Sequence, residues 1–406
     1  MFKPMLMIAM LCLGSSRAFA LDLPSEITLP QLLELVSARN PELLGEQSRV
    51  DAADADIKTA RALPNPEVSY YNFTPQILVE QSLPIFGQRG LRIQSAQLEA
   101  EAVRAEVSSV GADVLRDAAL AFTQLLVAQE RRRLHQAVYE DLMASIVIVR
   151  GQVEAGARSR YDLARIELER AQAQAELERS EAELASSVMQ LAIAVGQPEW
   201  RPVALGKLQP SREPLTFDAL WPQAEYRLSS LRAAAAAETA AEKRSELARR
   251  EALPTTAITV GEQRERGARD FVYGVSISIP VFDRQQGAIG RARAEANRAR
   301  LQNRAQRLAA ETALRRATDQ LAQRRALTER FERDGLSQLP ELRRMARDAY
   351  KLGQGGILEL IDAIQSVAQK QLAHLELLES VFEAEIAVQA ASGLFTNSAE
   401  PVTPPG

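Results

Sequence analysis

Two hydrophobic periods alternate along this chain, and each occurs twice. The ten residues FVYGVSISIP, 271–280, set apolar side chains at Phe271, Tyr273, Val275, Ile277 and Ile279, with small or polar ones at Gly274, Ser276 and Ser278. A strand patterned this way has one face in an apolar medium and the other against something wet. Its partner strand sets Ile77, Val79 and Leu83 on the apolar side and Glu80 and Ser82 on the other, with Leu78 and Gln81 breaking the pattern. Shorter stretches match as well, Val68 with Ile258 and Tyr70 with Val260, at an offset of 190 residues. Strands are therefore expected at about 66–86 and about 255–282.

Elsewhere the period is helical. A stretch from Gln31 to Arg61 is interrupted at Asn40-Pro41, and its counterpart runs from Thr216 to Glu251. From about Leu91 to Val153 there is no proline, and only Gly111 and Gly151 intervene. This predicts a helix on the order of 95 Å long at about 1.5 Å per residue, and patterns so far beyond about 25 residues imply helices packed lengthwise. After a turn at Gly156 the chain returns, with Leu177, Leu184 and Leu191 at heptad spacing and Val188 and Val195 in the alternate seam.

The two halves repeat one another. Within QSLPIFGQRG at 81–90, Pro84-Ile85-Phe86 is echoed by Pro280-Val281-Phe282 of SISIPVFDRQ at 276–285, an offset of 196, and EAGARSRYDL at 154–163 by KLGQGGILEL at 351–360, an offset of 197. A period this long is a duplicated half, not an array of short repeats. The change of offset from 190 to 196 places six extra residues in the second strand hairpin, where a loop accepts insertions. Both long helical hairpins are expected to turn at a left-handed glycine, Gly156 and Gly353. Pro340 stands where the first half has Met143, so the second long helix should kink or break there. The expected organisation is a signal peptide at 1–20, repeats at 21–205 and 206–395, and a disordered tail at 396–406.

Composition narrows the class. Apolar residues make up 46% of the chain but aromatics only 5%, as in long helices packed through small side chains. The first twenty residues carry Lys3, an apolar stretch from Met5 to Leu13, and Ala18-Phe19-Ala20. That is a secretory signal with an A-x-A cleavage site, which predicts a mature chain starting at Leu21. The one cysteine, Cys12, lies within it, so disulfides and thiolate chemistry are excluded from the mature chain. Without Lys3 and Arg17, 47 basic residues face 53 acidic ones, a net charge near −6, which argues against a nucleic-acid partner. No later run approaches 18 apolar residues, so no transmembrane helix is expected. His135 and His374 have no second histidine at i+3 or i+4, and neither a metal site nor a cofactor is expected. Phosphate loops, nucleophile elbows and zinc-protease motifs are missing, so no enzymatic activity is expected.

Four amphipathic strands cannot close a barrel, and an open edge in lipid is forbidden. Insertion into a membrane would therefore require several copies. A soluble periplasmic coiled-coil scaffold or adaptor is the alternative, but it leaves the alternating strands and the duplication unexplained.

The order helix, strand hairpin, very long helical hairpin, duplicated behind a signal peptide, resembles the outer-membrane efflux protein (TolC) family over essentially the whole mature chain. The carriers are ARNPELLGEQSRVDAADADIKTARALPNPEVSYY, the strand ends Pro84-Ile85-Phe86 and Pro280-Val281-Phe282, and the glycine turns followed by Asp162-Leu163 and Glu359-Leu360. The compact first hairpin and LPNPEVSY look most like the heavy-metal (CzcC-type) branch. The resemblance implies a mixed α and β membrane protein with four strands per chain. Three copies would form a twelve-stranded barrel, continued by a long α-helical barrel. It also implies an outer-membrane exit duct extending into the periplasm, passive in itself, partnered by a periplasmic adaptor (membrane fusion protein) and an inner-membrane efflux transporter.

Glu359 and Asp362 lie three residues apart and so share a helix face. The resemblance places acids at these positions at the constricted periplasmic end of the tunnel, where three copies would favour cations. The first-half equivalents are Asp162 and Arg165, whose sign change offers a salt bridge between hairpins. The turns Gly156, Ala157, Arg158, Ser159 and Gly353, Gln354, Gly355, Gly356 are the expected adaptor-docking tips. Tyr273, Val275, Ile277 and Ile279 are the expected lipid-facing residues.

Overall fold

The computed structural model describes residues 23–395, except Thr74, Arg212, Arg266 and the side chain of Glu265. The expected signal peptide and C-terminal tail lie outside the described residues. The elements run β1 (Glu26–Ile27), α1 (Leu29–Arg39), α2 (Pro41–Arg61), β2 (Glu67–Tyr71), β3 (Gln76–Leu83), α3 (Gln88–Glu154) and α4 (Arg160–Ala194). They continue with β4 (Val203–Ala204), α5 (Phe217–Arg227), α6 (Ser229–Glu251), β5 (Thr255–Glu265), β6 (Ala268–Ser278), α7 (Gln286–Phe331), α8 (Leu339–Lys351) and α9 (Ile357–Ala391). With 67 residues, α3 is about 100 Å long.

The duplication is visible in backbone angles. Gly156, Gly196, Gly353 and Gly393 have φ of 71°, 74°, 75° and 73°, the left-handed region that glycine enters without a Cβ clash. Each repeat also breaks its opening helical stretch at one extended residue, Asn40 (φ −60°, ψ 123°) or Leu228 (φ −61°, ψ 113°). The sequence marks the first break with Asn-Pro but gives no such sign at Arg227-Leu228-Ser229. Tertiary packing requires it all the same. A Cβ on Gly196 would lie 3.0 Å from the Pro41 ring, and one on Gly393 would lie 3.0 Å from the Leu228 backbone. The end of each returning helix thus rests on the break. In the first repeat the Asn40 amide adds a hydrogen bond to the Ala194 carbonyl at 2.9 Å.

Pro340 does interrupt the second long helix, but the disruption starts earlier. α7 ends at Phe331, a π-helical turn spans Glu332–Leu336, and α8 begins with Pro340 in its first turn. Proline is accommodated there because the first-turn N–H groups have no intrahelical acceptor.

Four of the strands form one sheet in the order β2-β3-β5-β6, antiparallel throughout, while β1 and β4 pair in parallel apart from it. The 76–83 strand, expected to partner the 271–280 strand, pairs instead with β5, which lies between them. The two hairpins sit side by side through their inner strands, leaving β2 and β6 as open edges among the described residues. Away from the sheet, small residues such as Ala118, Ala119 and Ala317 and aliphatics such as Leu125, Leu191, Leu314 and Val381 are buried between helices.

Candidate functional site: sheet faces and hairpin tips

The register divides the sheet by chemistry. Tyr273 aligns with Val260, Val79 and Val68, Val275 with Ile258, and Ile277 with Thr256 and Leu83, so these share one face. Its side chains along β6 are bare in the single chain, with Tyr273 79% exposed and Ile279 68%, while Val79 and Leu83 on β3 are half-buried. Ile279 lies one residue beyond the end of β6. The other face carries Glu67, Glu80, Ser82, Thr259, Ser276 and Ser278. The two residues that break the sequence pattern have local explanations. Leu78 sits opposite Gly261, where a Cβ would come within 2.1 Å of the Ile77 carbonyl. Gln81 sits on the apolar face, but its amide donates to the Pro64 and Ser82 carbonyls at 2.8 and 3.0 Å, so its polar group is satisfied.

At the far end of the helices the two hairpin tips are bound together within the chain. Arg158 of the first tip donates to the Gly355 carbonyl at 2.7 Å and lies 4.7 Å above the Tyr350 ring, a cation–π contact worth about 0.5–1 kcal/mol. Gln152 donates to the Lys351 carbonyl at 3.3 Å. Tyr350 is buried among Ile146, Ile166, Ile357 and Ile361. Burial raises its hydroxyl pKa, nearby Asp162 adds to the rise, and Arg158 opposes it. Arg158 is therefore committed to the tip itself, and Ser159 caps α4, accepting the Asp162 N–H at 3.3 Å and donating to its carboxylate at 3.0 Å. Gly156, Ala157, Gly353 and Gln354 are exposed, and Gly355 and Gly356 are partly so.

The four acids and bases expected at the gate do not form one cluster of ion pairs. Glu359 is exposed, and its carboxylate accepts the Gly356 N–H at 3.0 Å, closing the first turn of α9. Asp362 is exposed on the same helix. Arg165 pairs with Glu169 at 2.9 Å, and Glu169, only 6% exposed, also accepts from Gln365 of α9. Arg165 thus joins the hairpins indirectly, through a buried carboxylate four residues along its own helix.

The sequence reading missed a second clasp. Asp141 on α3 accepts from Arg343 at 2.8 Å and Arg347 at 2.9 Å, both on α8. Nothing local marks Asp141, because its partners lie 202 and 206 residues away. The two histidines stand apart. His135 is half-buried, and burial lowers its pKa. His374 contacts Glu332 at 2.8 Å and stacks on Phe331. Among the described residues no group of three or more His, Cys, Asp or Glu could hold a metal ion.

The sheet thus has one apolar and one polar face and runs into long helices, an arrangement that can be set beside known proteins. No family model matches the chain. It is 26% identical over 410 residues to the cobalt-zinc-cadmium resistance protein CzcC of Cupriavidus metallidurans, covering 92% of each chain. It is 24% identical over 348 residues to the nickel-cobalt-cadmium resistance protein NccC of Alcaligenes xylosoxydans xylosoxydans, covering 79% of this chain and 75% of that one. Among solved structures it superposes on the Campylobacter jejuni CmeC outer membrane channel with a TM-score of 0.77 at 12% identity, covering 92% of this chain and 87% of that one. The fold is that of the outer-membrane channels. Within that class the chain has the architecture of the outer-membrane efflux (TolC) proteins, as its motifs implied.

Proposed function

We propose that this protein is the outer-membrane exit duct of a tripartite efflux system, with heavy-metal cations as its cargo. The observation that carries the reading is the two-faced sheet with both edges open. Among the described residues a surface bearing Tyr273, Val275 and Ile277 has no apolar partner, and β2 and β6 have no outer neighbours. Lipid satisfies the first and further copies satisfy the second. Three copies close twelve strands, and the helices continue the passage into the periplasm. The repeats fall at 21–205 and 206–395. Metal cargo is supported by the names of the relatives CzcC and NccC. A passive wall needs no cofactor, and substrate choice rests with the inner-membrane transporter reached through the periplasmic adaptor.

Glu359 and Asp362, exposed on the first turns of α9, line the periplasmic opening in this reading. The remaining tip glycines with Ala157 and Gln354 meet the adaptor, while Arg158 and Ser159 hold the tips in shape. The soluble scaffold alternative does not account for the bare apolar face.

Fractionation tests the reading. Full-length protein is expected in outer membranes as a detergent-resistant trimer, and deletion of its gene is expected to raise sensitivity to divalent heavy metals. A soluble periplasmic monomer would overturn the duct. An outer-membrane trimer whose loss leaves metal tolerance unchanged would overturn only the cargo.

A further inference from the structure

In a protein of formal net charge −4, α7 is strongly basic, with eleven arginines against four acids. α2 carries five acids against three basic residues. These helices are the two flanks of the layer beneath the sheet, because α2 packs on α3, α3 on α6 and α6 on α7. Each flank bears a stripe at heptad-like spacing, and every residue in it is exposed. On α2 the stripe is Gly45, Ser48, Ala52, Ala55 and Thr59; on α7 it is Gly290, Ala294, Leu301, Ala305 and Leu308. Leu301 and Leu308 are 57% and 58% exposed. One stripe is small and the other carries large knobs, which is complementary for close helix packing.

The two flanks also share a level. Arg89 at the start of α3 donates to the Arg61 carbonyl at the end of α2 at 2.8 Å. Arg92 pairs with Glu251 at the end of α6 at 2.8 Å, and Gln285, just before α7, donates to the Glu251 carbonyl at 3.4 Å. The sheet-proximal ends of all four helices therefore lie within about one turn of each other. α2 runs toward the sheet and α7 away from it. Asp56 lies five residues from the end of α2, and Arg291 lies five residues from the start of α7. At about 1.5 Å per residue both sit roughly 7–8 Å from the sheet end. For antiparallel helices meeting along these stripes, residues following the stripe on α7 and on α2 project to the same side. Arg291 follows Gly290, and Asp56 follows Ala55. Both are exposed, and neither has an ionic partner among the described residues of its own chain.

We propose that the basic α7 flank of one copy docks on the acidic α2 flank of the next, with Arg291 pairing to Asp56 and Leu301 seated over Gly45 and Ser48. The contact is head-to-tail, so repeating it generates a ring. It continues the seam in which β6 of one copy meets β2 of the next. This inference rests on the trimeric duct and adds the residues that set its register and polarity.

Cysteine cross-linking tests it cleanly, because the sequence has no cysteine after Cys12. Full-length protein carrying both Asp56→Cys and Arg291→Cys, oxidised in native membranes, is expected to run as covalent dimers and trimers, while each single variant stays monomeric in denaturing gels. Arg291→Asp is expected to lower the thermal dissociation temperature of the trimer, and adding Asp56→Arg to restore it. A native trimer that neither cross-links nor shows this rescue overturns the proposed flank pairing and leaves the duct standing. A monomeric unmodified protein overturns the duct and the pairing with it.

Discussion

Glu359 combines two roles in one carboxylate, accepting the Gly356 N–H at 3.0 Å and placing negative charge at the tip. The roles separate in Glu359→Gln, because the amide keeps an acceptor oxygen for the capping contact and loses the charge. Combined with Asp362→Asn, it is expected to lower cation over anion permeability in planar bilayers while thermal stability is preserved. Unchanged selectivity would remove both residues from the opening. The turn glycines act through the backbone alone. A Cβ on Gly353 meets nothing within 4 Å, so the cost of Gly353→Ala comes from its φ of 75°. It is expected to destabilise the tip by about 1–2 kcal/mol, read as faster hydrogen exchange in residues 349–358 than in the parent.

Among the elements, α8 is the short helix set off by a break and held by one acid. Asp141 receives both Arg343 and Arg347, and its side chain is only 21% exposed. Partly buried charge-assisted bonds of this kind are worth about 1.5–3 kcal/mol each at most. Asp141→Ala strips both arginines of their shared partner and leaves two cations adjacent. The expected outcome is increased hydrogen exchange in α8, with α7 above the π-helical turn unchanged. Equal loosening of both would mean that the turn at Glu332–Leu336 does not separate them mechanically. The match with α3 points to one continuous helix across α7 and α8, and Pro340 alone in the sequence marks the break.

At the scale of the whole molecule, the sheet is the test of environment. Nitroxide labels at Tyr273, Val275, Ile277 and Ile279 in native envelopes are expected to be reached by dissolved oxygen and shielded from an aqueous relaxation agent. Labels at Ser276 and Ser278 should show the reverse. Water exposure at the first four sites would place the apolar face outside lipid and end the channel reading.

Much of this was legible along the chain because it depends on local periods. Two-residue alternation specified the strands and the residues that share their apolar face, heptad spacing specified lengthwise helices, and glycine at matching offsets specified the turns, since each follows from steric and solvation rules acting over a few residues. Other features depend on which segments meet. The pairing of β3 with β5, the break at Leu228, the Arg165–Glu169–Gln365 chain and the Asp141 clasp join residues up to about two hundred positions apart. Long-range hydrogen bonds and close backbone approaches leave no periodic trace in a sequence, so only the assembled chain decided them.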